Sequence, residues 1–209
     1  GDIFDVFLGS QPRFAVKYGQ WFDALRAACN RGVEIHYIEG NHDFLMAPAF
    51  REFRGVTVHP RECELALGGK RFYFAHGDLV DTTDIGYLAL RMAFRSLGMK
   101  IAARALPGIW WEWFGDKLSG YSREGALGTT RPLQMERLRR VYRSFAAEKI
   151  AEGADYVVLG HCHDLDEMEF KVDSRPGQYI NVGYPRAHGS YLTWEPGEPK
   201  IEREKLPGR

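Results

Sequence analysis

The tetrad Gly40-Asn41-His42-Asp43 restricts this chain more than any other stretch. Before it, Val33-Glu34-Ile35-His36-Tyr37-Ile38 alternates and is rich in β-branched and aromatic side chains, which reads as a strand. Gly40 then lets the backbone turn, and an amide, an imidazole and a carboxylate emerge together just past the strand's carboxyl end. In open α/β sheets that is where ligands bind. Three more clusters repeat the pattern: Gly1-Asp2, His76-Gly77-Asp78 and Gly160-His161-Cys162-His163. Asp2 sits in a stretch that reads as the end of a strand and its loop, with no strand ahead of it, so a further N-terminal segment is expected to precede Gly1.

The chain between these clusters reads as alternating strands and helices. Helical spacing over residues 14–30 carries Phe14, Tyr18, Trp21, Phe22, Leu25, Ala28 and Cys29, with Gly32 as its stop. A short helix is expected over residues 47–53. Strands are expected over residues 56–58 and 63–67, with Gly68-Gly69 turning a hairpin into residues 71–75. A helix starting at Pro132 presents Leu138, Val141, Tyr142 and Phe145 on one face and ends by Gly153. Residues 156–159 form a short buried strand, and four more strands follow over 167–172, 178–182, 190–194 and 200–204.

Residues 85–130 differ in character. A long apolar series is interleaved with Arg91, Arg95, Lys100 and Arg104, and Trp110, Trp111 and Trp113 follow. Two or more helices broken near Pro107-Gly108 are expected. One reading is an insertion packed on the domain. The other is a cap whose apolar face meets acyl chains or a membrane surface, an interface that suits tryptophan and basic side chains.

Length and composition limit the classes. The 209 residues suit one domain with an insertion, and 44% hydrophobic content supports a real core. Lys+Arg 28 balances Asp+Glu 28, so net charge gives no sign of a nucleic-acid partner. Cys29, Cys63 and Cys162 are too scattered for a disulfide framework, which points to a reducing, cytoplasmic compartment. No uninterrupted apolar run reaches the roughly 18 residues of a membrane span.

Asp2, Asn41, His76, His161 and His163 are oxygen and nitrogen donors at loop positions. Imidazole, carboxylate and amide together favour manganese, iron or zinc over calcium, which prefers oxygen alone. His161 and His163 flank one residue, so an extended loop would let both reach a binuclear centre while Cys162 points away. His36 and His59, in or at the end of strands, read as structural. His188 lies in a late loop and is open to either a structural or a cleft-facing role.

These motifs resemble, in order, spacing and strand context, the series of the calcineurin-like metallophosphoesterases. The resemblance implies a four-layer α/β/β/α sandwich with a helical cap insertion over about residues 85–130, holding two divalent metal ions. By the match, Asp2 is the bridging carboxylate, Asn41, His76 and His161 hold one ion, and His163 helps hold the other. His42 would stabilise the phosphoryl transition state or assist the leaving oxygen, with Asp43 orienting it. The family's first motif, Asp-x-His on the first strand, does not occur in this sequence.

Finer features are similar to the UDP-2,3-diacylglucosamine pyrophosphohydrolases of lipid A biosynthesis. They are the stretch Gly1-Asp2-Ile3-Phe4-Asp5-Val6-Phe7-Leu8-Gly9, the run from His76 through Thr82-Thr83-Asp84 to Tyr87 and Arg91, and the helical insertion. That resemblance implies water attack at the α-phosphate of a nucleotide lipid, giving UMP and a lipid monophosphate at the inner face of a membrane. It implies substrate contacts from Asn41, His42, Asp84, Ser122 and His161. The sequence departs at Ala126 and Thr129, where that family has asparagine and lysine, and at His42, which is arginine in many members. Two alternatives stand beside it. Asn181-Val182-Gly183, Pro185-Arg186 and Ser190-Tyr191 are similar to small phosphodiesterases, implying a soluble nucleotide phosphodiesterase or dinucleoside polyphosphate hydrolase. The missing first motif fits a non-catalytic binding module of the same fold.

Overall fold

The structure is a computed structural model that describes residues 1–4, 7–105, 110–111 and 132–208. Its contacts divide the chain into two compact units, one of residues 1–61 and 82–130, the other of residues 62–81 and 131–209.

In the first unit, β1 (Phe7–Leu8) is followed by α1 (Pro12–Lys17), α2 (Gly19–Asn30), β2 (Ile35–Ile38), β3 (Asp43–Phe44) and β4 (Val56–His59). β1 pairs parallel to β3 and β2 pairs parallel to β4. Their core is unusually aromatic: Phe4, Phe7, Phe14, Phe22, Tyr37 and Phe50 are all buried. Phe4 meets Phe7 at 4.8 Å and Tyr18 at 4.5 Å between ring centroids, contacts that add to what area burial alone provides. The helix expected over residues 14–30 is two helices. Tyr18 leaves helical geometry (φ −109°, ψ 27°), and its carbonyl accepts from Trp21 N and Phe22 N at the head of α2. Residues 47–52 form turns, not the expected short helix. Met46, Phe50 and Phe53 still pack into the core from there, so burial is achieved without helical spacing.

The insertion joins this unit as α3 (Ile85–Arg95) and α4 (Leu97–Ala105), with helical residues again at Trp110 and Trp111. Asp84 caps α3, its Oδ1 accepting from Tyr87 N at 2.9 Å. The observed break is at Ser96, while Pro107-Gly108 lies outside the described residues. Ser96 is extended (φ −65°, ψ 161°), closes α3, and accepts from Met99 N at 3.2 Å to open α4. Inward, Phe94 packs on Phe44 with tilted rings 5.6 Å apart between centroids, and Ala103 is fully buried. Outward, Ile85, Leu90, Met92, Leu97, Ile101 and Trp110 are all exposed.

The second unit is a five-stranded mixed sheet in the order β5-β6-β7-β9-β8, with β5 Glu62–Leu67, β6 Lys70–Ala75, β7 Tyr156–Leu159, β8 Glu167–Val172 and β9 Arg175–Asn181. The central β6, β7 and β9 run parallel, and each edge strand is antiparallel to its neighbour. Gly68 and Gly69 both have positive φ (52° and 77°), as a two-residue hairpin between Leu67 and Lys70 requires. All four residues of β7 are buried because both sheet faces are covered. One face packs on α5 (Pro132–Ala151) through Tyr142, Ala146 and Ile150. The other meets Ile201, Leu192 and Trp194 around the hairpin of β10 (Ser190–Thr193) and β11 (Glu202–Lys205). A short α6 (Pro185–His188) leads into that hairpin. Among the described residues no helix is long and apolar enough to cross a membrane.

Candidate functional site

In the first unit the tetrad bridges β2 and β3. Asp43 is fully buried and is the fixed point of the loop. Its Oδ2 accepts from Ile3 N at 2.8 Å and Tyr37 Oη at 2.6 Å, and its Oδ1 accepts from Gly40 N at 2.7 Å. Burial and the neighbouring Asp43 push the Tyr37 phenol far above its usual range, so it remains a donor. The Asp2 segment is laid against the same loop, with Asp2 Oδ1 accepting from His42 N at 2.9 Å. Asp2 has φ 59°, and a Cβ on Gly40 would fall 2.5 Å from Asp2 N, so only glycine allows this approach. The expected role for Asp43 was to orient His42. The bonds described here add a further task, bracing the loop that carries Asn41 and His42.

In the second unit the candidate residues lie past the carboxyl ends of neighbouring parallel strands: His76 after β6 and Gly160-His161-Cys162-His163 after β7. His76 Nε2 faces His161 Nδ1 at 3.1 Å. Two imidazole nitrogens meeting this way suit adjacent ligands of one ion, whose bonds to histidine run about 2.0–2.1 Å. The donor set therefore fits a divalent metal. The loop is not extended as expected. His161 and His163 both take left-handed backbone (φ 67° and 56°), rare for side chains other than glycine. His163 stacks on Tyr184 at 4.5 Å. Cys162 turns inward, its Sγ accepting from Asn181 Nδ2 at 3.1 Å, and burial pushes its thiol up to about 11. It packs half-buried against the core of this unit, for a reason different from the expected strand-like alternation.

Two arginines one turn apart on α5 hold that loop's downstream half. Arg139 forks onto Asp164 (2.5 and 2.9 Å) and Arg143 onto Asp166 (2.9 and 2.5 Å). The Arg139 guanidinium holds the Asp164 carboxyl below the usual range. The sequence marks neither pair, except that an i, i+4 arginine repeat and an Asp-x-Asp in a loop share a spacing of about one helical turn. Asp166 is buried, so Arg143→Met should cost about 1.5–3 kcal/mol of stability, the range for hydrogen bonds to a charged group, read by denaturant unfolding. A loss within error would mean the loop is held by something else.

Gly77 closes the histidine loop onto α5. Its carbonyl accepts from Tyr142 Oη at 2.8 Å, its φ is 106°, and an added Cβ would lie 3.0 Å from Gly160 O. Gly77→Ala should therefore destabilise by about 1–3 kcal/mol and shift His76 relative to His161. Thermal unfolding measures the first effect, and a tolerated alanine would contradict this account of the turn.

The remaining expected residues fall as follows. His36 Nδ1 and His59 Nε2 meet at 2.9 Å on the parallel β2–β4 pair. His188 Nδ1 accepts from Tyr184 N at 2.8 Å, which favours its structural role. Asp84 Oδ1 is the α3 cap. Ser122, Trp113, Ala126 and Thr129 lie outside the described residues.

An apolar pocket opens within the first unit. Leu8, Phe44, Leu90, Phe94, Met99 and Trp111 form its walls, and Asn41, His42, Arg91 and Arg95 contribute its polar lining. The loop that carries the candidate chemistry thus shares a wall with the insertion helices.

The model of the calcineurin-like phosphoesterases matches residues 1–165 of this chain. UDP-2,3-diacylglucosamine hydrolase of Aeromonas salmonicida is 28% identical over 213 residues, covering 99% of this chain and 80% of the relative. The protein of that name from Aeromonas hydrophila is 26% identical over 212 residues, covering 99% and 83%. That from Escherichia fergusonii is 27% identical over 192 residues, covering 92% and 78%.

Proposed function

Because the chain belongs to the calcineurin-like phosphoesterase family, with its α/β fold and phosphohydrolase chemistry, we propose that it hydrolyses a UDP-2,3-diacylglucosamine-type nucleotide lipid at the α-phosphate. The products are UMP and a lipid monophosphate. The observation that carries the substrate class is the apolar pocket, whose lining combines Asn41 and His42 with the walls of α3. Walls of this kind suit the acyl chains of a nucleotide lipid. The relatives' name points to the same substrate.

The family implies divalent metal ions, and manganese is our choice, with iron or zinc as the other fits to this donor set. Asp2, Asn41, His76, His161 and His163 would hold them. When bound, such ions activate water and offset charge on phosphoryl oxygens. The chain's own groups do the rest. His42, half-buried, stabilises the phosphoryl oxygens or hands a proton to the leaving oxygen, in the manner of general acid catalysis. Asp43 keeps that loop in register. Asn41 and His161 also face the substrate phosphate, and Asp84 and Ser122 contact the nucleotide lipid. The exposed Ile85, Met92, Leu97, Ile101 and Trp110 rest against the cytoplasmic face of the membrane, from which the lipid is drawn.

The test is turnover of acylated against unacylated UDP-glucosamine and a dinucleoside polyphosphate in manganese. Strong preference for the acylated compound is expected. Equal turnover of all three would replace this reading with that of a soluble nucleotide hydrolase.

A further inference from the structure

We propose that Arg95 is a positioning residue that fastens the backbone entering Asn41 and His42 to the insertion helix α3, through Glu39 and the Gly40 carbonyl. The inference rests on the roles just given to Asn41 and His42.

Glu39 sits directly before Gly40 and is only 3% exposed. One of its oxygens accepts from Met46 N at 2.6 Å, on the far side of the loop. The other accepts from Arg95 Nη1 at 2.5 Å, while Arg95 Nη2 donates to Gly40 O at 2.9 Å. One planar fork therefore grips a side chain and the next residue's main chain together. A lysine, a point charge on a flexible stem, cannot hold both in that geometry. Glu39 in turn ties the loop's entrance to its exit, since Met46 follows β3. Asp43 and this pair therefore both brace the loop, meeting at Gly40.

Arg95 is the last residue of α3, so its charge also sits favourably at the helix's carboxyl end. Its neighbour Phe94 packs on Phe44 of β3, and both line the apolar pocket. The helix that walls the pocket and the loop that carries the chemistry are thus one mechanical piece. Carboxylates buried this deeply require a partner, so removing Arg95 releases the loop instead of merely trimming a contact.

The experiment uses the full chain and bis(p-nitrophenyl) phosphate, a diester without acyl chains, in saturating manganese. Arg95→Met and Glu39→Gln should each lower kcat by roughly 10–100-fold with little change in KM, since a misplaced catalytic group costs on that scale. The double variant should be no worse than the poorer single one, and Arg95→Lys should recover part of the loss. In metal-free protein, amide exchange over residues 39–46 should quicken in Arg95→Met. If Arg95→Met folds poorly, Arg95→Lys and Glu39→Gln carry the comparison. Unchanged kcat on the short diester, losses that multiply in the double variant, or unaltered amide exchange would overturn the proposal. Turnover of the nucleotide lipid is measured separately, so a failed substrate reading is not confused with a failed positioning role.

Discussion

His42→Ala is expected to lower kcat by roughly 10²–10⁴ while leaving bound metal unchanged, the usual scale for a general acid–base group. The argument is local. Asn41 and His42 are adjacent, yet they do different work. His42's backbone N–H is already given to Asp2 Oδ1, and its neighbour Asp43 is fixed by Ile3 N, Tyr37 Oη and Gly40 N. The loop is braced by these main-chain and Asp43 bonds, which alanine at position 42 keeps. What alanine removes is the imidazole that helps line the pocket. His76→Ala should behave in the opposite way, because His76 Nε2 meets His161 Nδ1 at 3.1 Å and provides one of the paired nitrogens. Its loss should empty metal along with activity. Elemental analysis of both variants beside their kcat separates the roles, and equal metal loss in the two would show that they are wrongly divided.

The second large effect concerns the lipid. Each methylene moved from water into an apolar wall is worth about 0.8 kcal/mol, so four added carbons provide up to ~3 kcal/mol, or roughly 200-fold in KM. KM for diacylated UDP-glucosamine should fall steeply with chain length until the pocket fills. Leu90 lines that pocket from α3 and is half-exposed, so Leu90→Asp can be accommodated by the fold while spoiling the wall. In that variant the dependence on chain length should flatten, with kcat on a short diester preserved. A KM indifferent to chain length in the unaltered protein would reduce the pocket to internal packing.

Much of this was legible before the structure. The strands ending at Ile38, Ala75 and Leu159 were visible because their segments are rich in β-branched and aromatic side chains, and the polar clusters mark where those strands stop. The helix over residues 132–151 was equally plain, since Leu138, Val141, Tyr142 and Phe145 repeat at its period. Where local signals are weak, packing decided. Aromatic density in the first unit's core breaks residues 14–30 at Tyr18 and holds residues 47–52 as turns. The α3–α4 break needed only a serine able to cap, a signal overshadowed by Pro107-Gly108.

The support behind the candidate residues was hidden for another reason. Asp43 is matched to His42 through the family resemblance, while its donors from Ile3, Tyr37 and Gly40 lie partly outside the tetrad and carry no local signal. Glu39 meets Arg95, and Arg143 meets Asp166, across long separations in sequence. No pattern along a single segment encodes such pairs. The left-handed backbone at His161 and His163 is likewise a property of the loop's neighbours, since neither residue prefers it.

The most direct measurement is hydrolysis of UDP-2,3-diacylglucosamine by the manganese-loaded protein in water enriched in heavy oxygen. Mass spectrometry then shows which product carries the label. Attack at the α-phosphorus predicts labelled UMP and an unlabelled lipid monophosphate, with no turnover after metal is removed. Label in the lipid phosphate, or no UMP released in the presence of manganese, would contradict the account.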